Sequence, residues 1–387
     1  MNATRRRMTR RRIGSMILCG VAPIALAGCD PGVPPITGAV NPFADLLVIE
    51  RDGVSRPLTA DVVPLGFLDR DDVIRLEVRV EAVEAVLILM SDETSDETGV
   101  IVGGGPPFVP FDYRVQVAGD YFAFVQFDPT ADAAARTGTI TAGPGDPAFE
   151  PPSRQIVRVE FADGYLADPG LFDPTTMPVS NQAFLESISD VVQAEIVTTL
   201  RRIFDGTPIE IIDEHDAPPS EPFSRLRFLP DRVLADEQNV FDAALPPSDP
   251  TRPQCRVRVV FGEILPAGTR QDVGNRILDD EAVVYVGSFQ GRGETCHTAA
   301  TDSINNVVMA LAQTGAHEIG HLVGLYHVEQ VDVMNRSATL AFLRELALAR
   351  GQIQVERLIG GQVVSEVLPA IVQDPGLYFR TAFAGRE

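Results

Sequence analysis

One helical segment near residue 320 constrains this chain more than any other stretch. Its apolar residues recur at helical spacing and form a single stripe: Ile304, Val308, Leu311, Ile319 and Leu322. Residues 301–303 offer side chains that can cap the start of the helix, and Gly324 supplies a residue suited to its end. The sequence therefore predicts one long helix that packs a defined face onto a core.

Two histidines lie on this helix, His317 and His321. Because positions four residues apart share a helix face, both imidazoles can bind one metal ion at about 2.0–2.1 Å. The apolar stripe lies about 200° away from His317, so we expect the histidine face to line a cleft. His327 follows Gly324 by three residues, and a left-handed turn at that glycine would bring a third imidazole to the ion. Glu318 is placed to exchange a proton without being a ligand.

Residues 317–327 thus carry the string H-E-x-x-H-x-x-G-x-x-H, and Met334 follows seven residues later. This pattern resembles the metzincin clan of zinc peptidases, with matrixins and pappalysins as its nearest members, in which a methionine turn follows the extended zinc motif. The residue after the third histidine is Val328, where several families of the clan carry a diagnostic polar residue. The family within the clan therefore stays open.

The resemblance implies one catalytic Zn²⁺ held by His317, His321 and His327, with the fourth position open. It implies hydrolysis of peptide bonds by a metal-activated water, with Glu318 as general base. The chain would then be a zinc metalloendopeptidase acting on extracytoplasmic proteins or peptides. The alternative is a lipid-anchored binding protein whose metal site is structural or inactive. A closed structural site needs a fourth protein ligand, for which the sequence offers no candidate.

The fold expected is α+β, with a β-sandwich before a metzincin-type domain. Residues 43–165 carry short β-branched runs between turns, as in a sandwich, and we include 155–161 among its strands and 103–106 among its turns. Residues 166–180 form a linker. The resemblance places a twisted mixed sheet and the long active-site helix within residues 181–350. Residues 351–387 form a C-terminal tail that packs on this domain. An apolar strand at 282–289 is a candidate edge for pairing with substrate.

The N-terminus predicts export and anchoring. Residues 1–28 contain six arginines and no acidic residue. Within this stretch, the arginines are followed by an apolar run over 13–27 that is too short to span a membrane. Leu-Ala-Gly-Cys at 26–29 resembles the lipobox of bacterial lipoproteins, which implies a signal peptide over 1–28, a lipid on Cys29 and a tether over 29–42. A plain secretory signal is the alternative. The expected location is the cell envelope, anchored to the membrane on the periplasmic side or at the cell surface.

Charge and cysteine content limit the classes of partner, ion and cross-link that we expect. The formal charge is −22, and without residues 1–28 the chain carries 26 arginines against 54 acidic residues, so we expect no nucleic-acid partner. Outside the cytoplasm, Cys255 and Cys296 would form one disulfide, with two free thiols as the alternative. The acidic loop 91–97 could bind Ca²⁺, although a solvated loop is favoured because its spacing matches no calcium loop. The substrate preference and oligomeric state are not indicated by the sequence.

Overall fold

The structure is a computed structural model, and its described residues begin at Val54. They are 54–57, 62–91, 99–127, 135, 138–166, 182–230, 237–241, 254–258, 262–265, 271–286, 291–292, 304–329, 333–334, 347–359 and 362–384. The predicted signal peptide, Cys29, the tether, most of the acidic loop, the linker after Leu166 and Cys296 lie outside the described residues.

The described chain contains more strand than helix, and the expectation of an α+β protein is confirmed at this level. The helices are α1 (Gln182–Ile203), α2 (Ile304–Leu322) and α3 (Pro375–Ala382). The strands are β1 (Val54–Pro57), β2 (Val62–Leu68), β3 (Val73–Val80), β4 (Val83–Met90), β5 (Gly99–Gly105), β6 (Phe111–Arg114), β7 (Gly119–Phe127), β8 (Gly138–Pro144), β9 (Gln155–Phe161), β10 (Ile209–Asp213), β11 (Ser224–Leu229), β12 (Glu237–Phe241), β13 (Gln254–Arg258), β14 (Gly262–Leu265), β15 (Glu281–Tyr285), β16 (Gly291–Arg292), β17 (Gly351–Ile359) and β18 (Gln362–Gln373).

Two sheets face each other, and most of their strands come from the N-terminal half of the chain. One has the order β1-β8-β3-β6, and the other has the order β17-β18-β5-β4-β7-β2. The core between them contains Leu76 and Val78 from the first sheet and Val86 and Ile88 from the second. These positions alternate along β3 and β4 because successive side chains of a strand point to opposite faces. The arrangement is that of a β-sandwich.

The six-stranded sheet is buried on both faces. Along β4, Val86 and Ile88 enter the sandwich core, whereas Leu87 and Leu89 enter a larger core that also contains α1, α2 and α3. Two strands of the predicted tail, β17 and β18, complete this sheet, and β18 pairs in parallel with β5. The C-terminal segment therefore belongs to the sandwich as much as to the helical part.

The three glycines at 103–105 lie in β5, and the turn predicted there is wrong. A Cβ on Gly103 would lie 2.7 Å from Cε2 of Tyr113, and one on Gly105 would lie 2.5 Å from Cδ1 of Phe111. These aromatic rings of β6 lie directly on the strand. The glycines therefore provide room for close packing in a strand.

A third sheet has the order β10-β9-β11-β15-β14. Its first four strands are parallel, and β14 is antiparallel to β15 at the edge. Val157, Leu226 and Val284 from one face of this sheet share the larger core with α1 and α2. A short sheet of β12, β13 and β16 accompanies it, with Cys255 on β13.

Two strand assignments from the sequence change here. Gln155–Phe161 was grouped with the sandwich, but as β9 it pairs with β10 and β11 of the third sheet. The strand proposed as a substrate edge is β15, which is flanked by β11 and β14 and so has both sides occupied. The edge strands of this sheet are β10 and β14, and β14 consists of four residues that the sequence did not suggest as a strand. The remaining domain boundaries stay predictions.

Residues 271–280 join the third sheet to the sandwich. Arg276 donates from Nε to the carbonyl of Gly104 at 3.2 Å and from Nη2 to that of Asp112 at 2.6 Å. Its guanidinium also lies over the ring of Phe111, 4.8 Å from the centroid. Burial lowers the pKa of Arg276, and these contacts compensate a charge that is largely removed from water.

Within the described part of the chain, no helix combines the length and apolar character needed to cross a membrane.

The close approach at Gly104 gives a stability test. A Cβ there would clash with the carbonyl oxygen of Val86 and lie 2.5 Å from Cγ1 of Val273. We expect Gly104→Ala to lower the free energy of unfolding by about 1–3 kcal/mol, since it overpacks the joint. Gly119→Ala in β7 is the matched control, because its Cβ would meet only Met90 at 3.5 Å. Urea unfolding measures both, and equal midpoints would contradict the joint described here.

Candidate metal centre

The centre begins with the turn that ends α2. Gly324 has φ +90°, its N–H donates to the carbonyl of His321 at 3.0 Å, and Leu325 N–H donates to that of Gly320 at 2.8 Å. This is the Schellman arrangement, which requires a left-handed residue at the position of Gly324. A Cβ at this position would also lie 2.5 Å from the hydroxyl of Tyr378. The turn sends the chain back toward the helix it has just left.

The reversal brings three histidine rings together. The Nε2 atoms of His317 and His327 are 3.0 Å apart, those of His317 and His321 are 3.1 Å apart, and those of His321 and His327 are 3.2 Å apart. Two rings come from successive turns of α2, and the third comes from the segment after the turn. The three histidines form a group that could hold a metal ion.

Backbone carbonyls fix the orientation of two of these rings. His317 Nδ1 lies 2.8 Å from the carbonyl oxygen of Val333, and His321 Nδ1 lies 2.8 Å from that of Leu325. A carbonyl only accepts, so each ring carries its proton on Nδ1 and turns the lone pair of Nε2 toward the group. Such outer hydrogen bonds are what hold metal-binding imidazoles in one tautomer.

Burial keeps the helix histidines neutral. It lowers the pKa of His317, and it lowers the pKa of His321 to about 3 with a smaller contribution from neighbouring His317. Each residue is 7% exposed. All residues of the helix from Ala310 to Leu322 are buried. Neutral imidazole is the form that binds metals.

The spacing of the nitrogens fits a tetrahedral ion. Three nitrogens at 2.0–2.1 Å from such an ion lie about 3.3 Å apart, close to the distances observed. Among the described residues, no carboxylate or thiol joins the three histidines as a further close ligand atom. Among the described residues, the arrangement therefore provides three imidazole nitrogens as ligands for one ion.

Glu318 lies beside this group, against the edge strand. A Cβ on Gly262 of β14 would lie 2.5 Å from Glu318 Oε1 and 2.7 Å from Cδ, so the carboxylate rests on the backbone of that strand. Burial raises the pKa of Glu318 to about 8, with a further contribution from the charge of Glu263. A cation held by the histidines would lower the pKa of Glu318 and so favour its ionised carboxylate form.

Met334 packs beneath the helix. A Cβ on Gly320 would clash with the sulphur of Met334, which is fully buried. The carbonyl of Met334 accepts from Val328 N–H at 3.1 Å, and that of Val333 holds His317. Val333 and Met334 therefore contact both the helix and the segment that carries the third histidine.

The other sites predicted from the sequence are the lipidation site Cys29 and the disulfide pair Cys255 and Cys296. Cys29 and Cys296 lie outside the described residues, and only the backbone of Cys255 is described. The disulfide and the lipid anchor stay predictions. His215 is exposed and hydrogen-bonded to Asp213, which raises its pKa.

Several residues at the centre were not indicated by the sequence. Gly262 lies on a strand of four residues, too short for an alternating pattern to identify. Gln373 and Tyr378 bond to the chain around the turn, but they follow it by about fifty residues. No local pattern links such distant positions.

Comparison with known proteins adds no assignment. No protein-family model matches the chain, and no curated protein matches it. The centre is therefore interpreted from its own geometry.

The buried carboxyl group predicts a pH effect on the stability of the metal-free protein. The folded pKa of Glu318, about 8, exceeds its ordinary value of 4.5, so its stabilising contribution is complete below pH 4.5 and is lost as the pH rises to 8. Glu318→Gln removes this loss. We expect the variant to gain stability relative to the wild type between pH 5 and pH 8, measured by urea unfolding in EDTA. A stability difference that does not change with pH would contradict this.

Proposed function

We propose that this chain is a zinc-dependent endopeptidase that hydrolyses peptide bonds in extracytoplasmic proteins or peptides. The observation that carries the proposal is the convergence of three imidazole nitrogens at 3.0–3.2 Å beside a buried carboxyl group. A metal centre of this composition, with one open position, suits hydrolysis better than a purely structural role.

Zinc is the metal that these ligands favour. Three neutral imidazoles suit zinc, whereas calcium and magnesium prefer oxygen ligands. The metzincin resemblance agrees with this choice. It is supported by the third sheet, with four parallel strands and an antiparallel edge strand next to the long helix, and by the position of Met334 beneath that helix.

Glu318 is the proton carrier of the proposed reaction. A zinc ion bound by the histidines would polarise the scissile carbonyl and lower the pKa of an attacking water toward about 7. The Glu318 carboxylate accepts a proton from that water and delivers it to the leaving nitrogen. Its burial favours proton uptake, as the raised pKa indicates, and its carboxylate lies against the backbone of Gly262.

The substrate is proposed to pair with β14. This strand is at the edge of the third sheet and is paired on one side only among the described strands. The Glu318 carboxylate lies against the backbone of Gly262, the first residue of β14. A peptide added to this edge would therefore pass close to the proton carrier. Main-chain pairing gives affinity without demanding a particular side chain. β14 thus replaces β15 as the proposed substrate edge.

The proposal places the enzyme in the cell envelope, through a lipid on Cys29. The binding-protein alternative has less support, because a structural zinc site needs a fourth protein ligand and the described residues supply three. The sandwich would then serve the enzyme, and its contacts with the centre are described below.

Replacing the proton carrier tests the reaction. We expect Glu318→Gln to retain one zinc per chain, because Glu318 is not a ligand, and to cleave a mixed peptide library about 10²–10⁴-fold more slowly. His327→Ala should lose both zinc affinity and cleavage. Zinc content is measured by atomic absorption, and cleavage by mass spectrometry of the library. Full cleavage by Glu318→Gln would contradict the assigned role, and a zinc-free wild type would contradict the centre.

The contact with β14 gives a second test of the same machinery. Gly262→Ala places a methyl group against the Glu318 carboxylate and must displace it. Since a shift of about 1 Å can cost about 10²-fold in rate, we expect a loss of this order in kcat with zinc content unchanged. Gly119→Ala, which meets no close contact, is the control. An unchanged kcat for Gly262→Ala would show that Glu318 is not held there during the reaction.

A further inference from the structure

We propose that the C-terminal segment completes the metal centre, with Gln373 as a positioning residue for His327. This inference rests on the proposed function, since it takes the three histidines to bind zinc. It assigns a role to a segment that follows the motif by more than twenty residues and to the sandwich sheet that holds it.

The third histidine needs support that the other two do not. His317 and His321 are fixed by the hydrogen bonds of α2, whereas His327 follows the turn at Gly324 and belongs to no described helix or strand. Its carbonyl accepts from Gln354 N–H at 2.7 Å, and Val328 forms a bridge with Ile353. The ligand segment is therefore paired with β17 of the C-terminal segment.

Gln373 holds the other side of this segment. Its Oε1 accepts from Tyr326 N–H at 2.7 Å, and its Nε2 donates to the Tyr326 carbonyl at 3.2 Å. The side-chain amide thus forms the pair of bonds that a neighbouring strand would form, on the residue immediately before His327. Gln373 is fully buried, so water cannot replace these bonds at low cost.

The sandwich sheet positions Gln373 in turn. This residue ends β18, where it is aligned with Gly351 of β17 and with Ile101 of β5. Ile101 enters the larger core from the buried six-stranded sheet. A continuous set of contacts therefore runs from the sandwich through Gln373 and Tyr326 to His327.

Tyr378 is a second anchor in the same segment. Its hydroxyl donates to the Val323 carbonyl at 2.8 Å and accepts from Gly274 N–H at 2.8 Å. Tyr378 is fully buried on α3 and touches the chain at the turn itself. Gln373 and Tyr378 thus hold the two sides of the loop that presents the third ligand.

The test compares two glutamines that both contact the ligand segment. Gln373→Met keeps the length of the side chain and removes both bonds to Tyr326. Gln354→Met is the matched control, because Gln354 contacts His327 through its backbone N–H. We expect Gln373→Met to lower zinc affinity about 10–100-fold, as loss of an outer hydrogen bond does at other zinc sites, and Gln354→Met to leave it unchanged.

Two readouts separate positioning from general damage. Zinc affinity is measured by competition with a chelator on protein that circular dichroism shows to be folded. The visible absorption of the Co²⁺-substituted protein reports the geometry of the ligands. We expect Gln373→Met to change this spectrum, and Gln354→Met to reproduce that of the wild type.

If Gln373→Met fails to fold, the same two measurements are made on Tyr378→Phe, which removes only the hydroxyl that holds the turn. Lower zinc affinity and an altered cobalt spectrum in the folded variant support the inference. Affinity and spectrum equal to those of the wild type overturn it, and the proposed function stands if the wild type still binds zinc and cleaves peptides. A wild type that binds no zinc overturns both.

Discussion

The left-handed turn at Gly324 is the constraint on which the metal centre depends. Without it, α2 would continue and His327 could not approach the two histidines of the helix. The turn is fixed from inside by the Schellman bonds of Gly324 and Leu325, and from outside by the hydroxyl of Tyr378. A side chain at 324 would be strained by φ +90° and would clash with that hydroxyl. Conformation and packing thus require glycine at the same position.

The six-stranded sheet connects this turn to the rest of the molecule. Because β5 and residues 85–90 of β4 are apolar or glycine on both faces, the sheet packs simultaneously against the sandwich core and the helical core. The glycines of β5 bring the joint at Val273 and Arg276 within contact of the strand. Residues 271–274 then reach the turn from one side and Tyr378 reaches it from the other. The sandwich is consequently part of the frame that holds the centre.

The sequence alone was sufficient to predict a structural feature wherever one local pattern determined it. The helix around residue 320, its glycine end and the three convergent histidines follow from spacing alone, because i and i+4 positions share a face and a turn needs glycine. It was insufficient where a feature depended on a contact with a residue far away in the sequence. Gln155–Phe161 has the same alternating pattern whichever sheet it joins, and Gly103–Gly105 are typical of a turn until Tyr113 and Phe111 are known to lie on them. Nothing in the sequence links Gln373 with Tyr326.

The convergence of imidazole nitrogens has an electrostatic cost that the surrounding structure must balance. The Nε2 lone pairs of His317 and His321 are 3.1 Å apart and repel each other, because both rings carry their protons on the outer side. The carbonyls of Val333 and Leu325 hold two rings in this arrangement, and Gln373 holds the backbone that carries the third. A metal ion bound there would relieve the repulsion only in the folded state, so its binding would stabilise that state by mass action. The rigidity supplied by the C-terminal segment and the affinity of the centre for its metal are, on this argument, two consequences of the same contacts.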